Sequence, residues 1–140
     1  MRRVVLDTNV IVSALRSRRG PSYRLLTLVG TGRFEISMSV ALALEYEDAS
    51  QRATSVSPEA LSKILGYLCG AARQQKIFYL WRPYLRDLKD EMVLELAVAA
   101  RATHLVTYNR RDFRGTERFG IQVVSPEHLL AEIGEAPWQA

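Results

Sequence analysis

Short apolar runs alternate along the chain with stretches in which apolar residues return every three or four positions. Val4-Val5-Leu6 is an uninterrupted run that stops at Asp7 and predicts a buried strand. Val10, Ile11, Ala14 and Leu15 then recur at helical spacing. Ser17–Pro21 reads as a basic loop, and Pro21 suits the first turn of a helix carrying Leu25, Leu26, Leu28 and Val29, stopped by Gly30 and Gly32. Phe34–Ser37 predicts a second short strand. Ser39 is placed to cap a helix over Val40–Asp48 whose first half, apolar nearly all round, is expected to be buried. Ser57-Pro58-Glu59 opens a helix with Leu61, Ile64, Leu65 and Leu68 on one stripe. Lys76–Trp81 is strand-like until Pro83 interrupts it. A helix with Met92, Val93, Leu96, Ala97 and Ala100 on its apolar face follows Asp90. His104–Thr107 and Gln122–Ser125 are further strands, and Pro126-Glu127 starts a last helix through Leu129, Leu130 and Ile133. The tail from about residue 134 is expected to fray.

Strands separated by helices predict a parallel sheet covered on both faces. With 140 residues, 48% of them hydrophobic, and no internal repeat or Pro/Gly/Ser linker, one domain over residues 1–140 is expected. A single cysteine, Cys69, excludes an internal disulfide and a cysteine-based zinc site. No apolar stretch approaches the roughly 20 residues of a membrane span. The basic opening reaches Asp7 after three apolar residues, too soon for a signal-peptide core. A cytoplasmic setting is the resulting expectation. The formal charge of +4 comes from 19 Lys and Arg against 15 Asp and Glu, and sixteen of the basic residues are arginine. Arginine grips phosphate through a bidentate fork, which points to nucleic acid, but codon bias accounts for the same count equally well.

In a parallel sheet the ligand site lies beyond the carboxyl ends of the strands. Three of the five aspartates fall there: Asp7 ends the first strand, Asp112 follows the strand that ends at Thr107, and Asp90 opens the helix leading into that strand. Glu45 follows the apolar run Val40–Leu44. Each has an ordinary reading too. Asp90 is a competent N-cap, and Glu45, Glu47 and Asp48 are equally the solvated end of their helix. If the four converge, two carboxylates at about 4 Å repel by roughly 4 kcal/mol at an effective dielectric near 20. Such a group holds protons or binds a divalent cation, and oxygen-only ligation selects hard ions such as magnesium or manganese. Neither histidine is placed to act as a base. His104 lies within a strand and His128 near the start of the last helix, and both read as structural.

The ordered set of motifs resembles the PIN domain family, in particular its VapC-like toxins. Val4-Val5-Leu6-Asp7-Thr8-Asn9-Val10-Ile11-Val12-Ser13 is similar to the family's first strand and turn. Ser37-Met38-Ser39 with Glu45-Tyr46-Glu47 is similar to its second strand and acid-bearing helix. Asp87-Leu88-Lys89-Asp90-Glu91 followed by Leu94 and Ala97 is similar to the third motif, although Leu88 stands where a proline is common. Leu105-Val106-Thr107-Tyr108-Asn109-Arg110-Arg111-Asp112-Phe113 is similar to the fourth, and Val124-Ser125-Pro126-Glu127 to the common ending. The similarity covers nearly the whole chain.

This resemblance implies a PIN-like three-layer α/β/α sandwich with a mainly parallel sheet of four to five strands. It also implies a metal-dependent ribonuclease acting by in-line attack of water on RNA. The acids it assigns to catalysis and to one or two Mg²⁺ or Mn²⁺ ions are Asp7, Glu45, Asp90 and Asp112. Asn109 stands where many relatives have an aspartate, so it brings a ligand oxygen without charge, and Asp112 takes the fourth place with Asn109 assisting. Thr8, Asn9 and Thr107 are expected to support the acids or the turn. Arg16, Arg18 and Arg19 on one loop and Arg110, Arg111 and Arg114 on another are expected to guide RNA. A cognate antitoxin and a homodimer are the expected protein partners. Three other readings remain open. One is a PIN-type module that binds RNA without cleaving it, which Asn109 keeps open. Another is a haloacid-dehalogenase-like phosphatase, disfavoured because Asn9 stands where a second acid is needed. The last is an interaction protein whose acids are structural.

Overall fold

The computed structural model describes residues 1–77, 85 and 87–135. Among the described residues five strands form one sheet: β1 (Arg3–Leu6), β2 (Glu35–Met38), β3 (Arg73–Gln74), β4 (His104–Val106) and β5 (Gln122–Val124). Their order across the sheet is β3-β2-β1-β4-β5, and every neighbouring pair is parallel. Among the same residues six α-helices flank it: α1 (Thr8–Arg16), α2 (Pro21–Leu28), α3 (Val40–Ala53), α4 (Pro58–Ala71), α5 (Leu88–Ala99) and α6 (Pro126–Glu132). The architecture is the three-layer α/β/α sandwich expected. Among the described residues no helix is long and apolar enough to cross a membrane.

The elements begin where side chains satisfy their first amides. Ser39, Ser57 and Ser125 accept from the backbone N–H groups of Leu42, Ala60 and His128, and Pro58 and Pro126 occupy first-turn positions that need no donor. Gly30 and Gly32, both at positive φ, follow α2 and turn the chain toward β2. The centre of the sheet is apolar on both faces: Val4, Val5, Leu6, Leu105 and Val106 are almost wholly buried, as a doubly covered parallel sheet requires.

Two expectations need correction, the burial and extent of the third helix and the strand at Lys76–Ile77. The first half of α3 is not buried. Val40 is 75% exposed, Leu44 is 61% exposed, and Ala41 is exposed as well. The core takes Leu42, Tyr46, Ala49 and Ser50, a stripe at helical spacing, so only one side of the apolar run reaches it. The helix also runs on to Ala53, beyond Asp48. The third strand is Arg73–Gln74, ahead of the expected Lys76–Trp81, of which 78–81 lie outside the described residues. The cap of α5 is Asp87, whose Oδ1 accepts from Lys89 N at 2.8 Å, so Asp90 is released from capping and sits in the first turn. Of the tail expected to fray, Glu135 is fixed by Arg24, and 136–140 lie outside the described residues.

The sheet order places the site. The chain leaves β1 toward β2 and β3 on one side, then returns to lay β4 on the other side of β1. That reversal opens a crevice at the carboxyl ends of β1 and β4. The register pairs Leu6 with Val106, and Asp7 N continues the ladder to Val106 O at 2.9 Å. Asp7 and Thr107 therefore leave the sheet side by side.

Candidate active site

Asp7 is buried at that crevice and held from two sides. Thr107 Oγ1 donates to Asp7 Oδ2 at 2.7 Å, and Thr8 N donates to Oδ1 at 2.8 Å. Thr107 is itself the centre of a small network. Its Oγ1 accepts from Asn109 N at 3.0 Å and from Asn9 Nδ2 at 3.4 Å, while Asn9 Oδ1 accepts from Tyr108 N at 3.4 Å. Thr8, Asn9, Thr107 and Asn109 thus form one connected scaffold that fixes the carboxylate and ties the β1 and β4 loops together. Asn109 also accepts from Asp112 N through its carbonyl at 3.0 Å, which starts the 3₁₀ turn Arg110–Phe113. Phe113 is fully buried and anchors that turn, leaving Arg110, Arg111 and Asp112 on the surface.

The acids feel one another. Burial raises the Asp7 carboxyl above its ordinary value. The Thr107 and Thr8 hydrogen bonds oppose that rise, and the charges of Asp112 and Asp87 add to it. Asp90 is pushed up to about 6, first by burial and then by the charges of Asp7, Asp87 and Asp112. Asp7, Asp90 and Asp112 therefore share one electrostatic field, and Asp87 belongs to it as well. Asp87 had no assigned role in the sequence; its spacing from Asp90, three residues within one helix start, is the signal that carried it. Glu45 stands beside the same turn of α5, with its Oε1 3.3 Å from Lys89 Nζ. Among the described residues no three acids are grouped tightly enough to enclose an ion as they stand. The donor set nevertheless suits a hard divalent cation. All its atoms are carboxylate or amide oxygens, and two of the acids are biased toward holding protons that a cation would replace.

Tyr46 is a second residue that the pattern concealed. It is buried, its hydroxyl donates to Leu6 O at 2.5 Å, and burial together with the Asp7 charge holds the phenol well above its ordinary value. This bond pins α3 to the end of β1, one residue before Asp7, and so sets where the neighbouring Glu45 stands. Tyr46→Phe is expected to cost about 1–2 kcal/mol in urea unfolding, the price of a lost buried hydrogen bond, and to weaken divalent-ion affinity by loosening Glu45. An unchanged midpoint together with unchanged ion affinity would remove this role.

The arginines divide. Arg16 Nε donates to Ala53 O at 2.9 Å, so its guanidinium is taken up by the end of α3. Arg18 and Arg19 are exposed on the loop before α2. Arg110 and Arg111 line a cleft of about 550 Å³ with Tyr108, Asn109 and Asp112, and Arg114 is exposed just beyond. The histidines stand at the opposite, amino-terminal end of the sheet. His104 is buried with its Nε2 2.7 Å from Glu132 Oε2. The same carboxylate receives Arg2 Nε at 2.5 Å, and His128 lies 3.7 Å from its other oxygen.

Comparison with known proteins adds three findings. A family model described as PIN domain matches residues 3–111. No curated protein matches the sequence. Among solved structures, the chain is similar to one in the crystal structure of VapBC2 from Rickettsia felis bound to a DNA fragment from their promoter. The TM-score is 0.56 and the identity 16%, over 88% of this chain and 98% of that one. At that identity the likeness concerns the fold.

Proposed function

The chain belongs to the PIN domain family, generally nucleases, and from that premise we propose that it is a metal-dependent endoribonuclease, the toxin of a toxin–antitoxin pair. The observation that carries the reading is Asp7, buried at the reversal of the sheet and sharing its field with Asp90 and Asp112. Asp7, Asp90 and Asp112, joined by Glu45, would hold one or two Mg²⁺ or Mn²⁺ ions, with the oxygen of Asn109 assisting. A bound ion supplies an activated water and offsets charge on the phosphodiester. The protein's own part is positioning. Thr107 and Thr8 fix both oxygens of Asp7, Asn9 and Asn109 hold the two loops in register, and Tyr46 sets the helix that carries Glu45. Arg18, Arg19, Arg110, Arg111 and Arg114 bind the RNA backbone, while Arg16 braces the first of their loops against α3.

The same reading supplies two protein partners. A cognate antitoxin finds a seat in an apolar cleft of about 490 Å³ between α1, α2 and α4, lined by Leu15, Leu26, Val56 and Ile64 together with Arg18 and Lys63. The R. felis structure, described as VapBC2 bound to a DNA fragment from their promoter, contains a chain of this fold. A second copy of the chain is supported by the exposed side chains of Val40, Leu44 and Leu88, two of which flank the Glu45–Lys89 pair.

The test is a titration of Mg²⁺ and Mn²⁺ with a pooled RNA substrate. Cleavage that appears with the ion and stops with a chelator is the expected outcome. RNA binding without cleavage across the titration would instead select the non-cleaving module, the reading that the uncharged Asn109 keeps open. Neither binding nor cleavage would overturn both.

A further inference from the structure

Tyr108 inverts the usual placement of a tyrosine. A half-buried phenol ordinarily hides its ring and leaves the hydroxyl to water. Here the hydroxyl is turned inward, 2.6 Å from the Oγ of Ser22, a wholly buried residue in the first turn of α2, while the residue as a whole remains 40% exposed and lines the cleft with Arg110, Arg111 and Asp112. The backbone at Tyr108 is fixed as well, by its N–H to Asn9 Oδ1 at 3.4 Å. Ring and main chain are thus anchored at both ends.

The anchor also bridges the two basic segments. Ser22 lies just after the loop that carries Arg18 and Arg19, and Tyr108 lies just before Arg110 and Arg111. An exposed aromatic side chain therefore lines one cleft with Arg110 and Arg111, on the same loop as Asp112 and next to Thr107, which holds Asp7, and it is tied to the helix start that follows Arg18 and Arg19. Single-stranded nucleic acids are held by this combination, with cations on the backbone and an aromatic face under an unpaired base. A ring whose two torsions are already fixed loses little freedom when a base settles on it.

We propose that Tyr108 is a stacking platform for one unpaired RNA base beside the scissile phosphate, and that this contact confines the enzyme to single-stranded or looped RNA. The inference rests on the ribonuclease reading and goes beyond it, because the acids and arginines alone do not distinguish paired from unpaired substrate. A base in a duplex is sandwiched by its neighbours and presents no free face, so a helical stem gains nothing from Tyr108.

The experiment measures binding by the full chain carrying Asp7→Asn, which keeps the RNA intact. The probe is an end-labelled pooled-sequence single-stranded RNA with 2-aminopurine at scattered positions. An abasic strand of equal length and a duplex serve as comparisons. Tyr108→Ala is expected to weaken single-strand binding by about five- to 150-fold and to abolish the quenching of 2-aminopurine, with little effect on the duplex or the abasic strand. Because no charge is removed, the salt dependence of binding should keep its slope. Tyr108→Phe should stay within about threefold of the parent, since the ring remains. Tyr108→Leu, which fills the same space without a π face, should behave like the alanine variant and guards against a folding effect. Equal single-strand affinity for the parent and Tyr108→Ala would overturn the platform while leaving the nuclease reading intact. So would an abasic strand bound as tightly as the natural one by the parent. Failure of the parent to bind any RNA would overturn both, and an effect of Tyr108→Ala confined to a protein partner would assign the ring to that partner instead.

Discussion

Asp7→Asn is expected to abolish metal-dependent RNA cleavage, lowering kcat/KM by on the order of a thousandfold or more, because a ligand charge and the geometry it sets are lost together. The fold should survive the change. An asparagine is isosteric, and with its oxygen turned toward Thr107 it can still accept from Thr107 Oγ1, so that only the bond from Thr8 N is given up. The substitution also removes a buried charge whose burial raises the carboxyl's pKa. Thermal stability without metal should therefore be equal to or above that of the parent at neutral pH. Circular dichroism melting and cleavage of a pooled RNA, run on the same preparations, check both halves. Full activity in the variant would remove Asp7 from the site, and collapse of the fold would mean that its role is structural.

The second large effect is the joint dependence of stability on pH and divalent ion. Asp7 and Asp90 both have folded-state values above their unfolded ones, Asp90 at about 6 against 3.8. Their contribution to stability is therefore full below about pH 4 and is lost as the pH rises through the folded values. Metal-free protein should lose stability between about pH 4 and 6, by on the order of 1 kcal/mol once solvent screening at the partly exposed Asp90 is allowed for. A cation that binds only the native state reverses this trend. At a hundred times its dissociation constant it adds about 2.7 kcal/mol, or roughly 8–10 °C in Tm for a chain of this size. Its effect should fade toward pH 5 as protons compete for the same oxygens. Melting curves at pH 5, 6 and 7.5 with and without Mg²⁺ or Mn²⁺ make the comparison. A Tm at pH 7.5 that ignores both ions would instead favour a protein whose acids are structural.

The parts of this molecule that were legible in sequence are those in which one residue's surroundings follow from its near neighbours. Val4-Val5-Leu6 and His104–Thr107 are too apolar and too short for anything but central strands, and Ser39, Ser57 and Ser125 announce their helices because capping is local. Asp7 was legible for the same reason, as the first charge after a buried strand. What could not be read depends on partners far along the chain. The two-residue β3 has exposed polar side chains, and only its pairing beside β2 defines it. In α3 the apolar run Val40–Leu44 suggested burial on every side, whereas Leu42, Tyr46, Ala49 and Ser50 mark the true inward stripe. Asp87 and Asp90 are both able to cap α5, and local chemistry does not choose between them. The bonds from Tyr46 to Leu6 and from Tyr108 to Ser22 join elements that only the folded sheet brings together.

The return of β4 to the open side of β1 has a consequence for how the protein is made. Val4 pairs with His104, so the strand that carries Asp7 waits through most of synthesis with one hydrogen-bonding edge bare. Such an edge is a template for pairing with other chains, and contacts this distant in sequence form slowly. A polypeptide released before about residue 104 would lack Thr107 and Asp112 and would expose that edge, making it prone to aggregate. The Asp7–Thr107 pair is thus completed late, since Asp7 emerges from the ribosome long before its hydrogen-bond partner Thr107 has been translated.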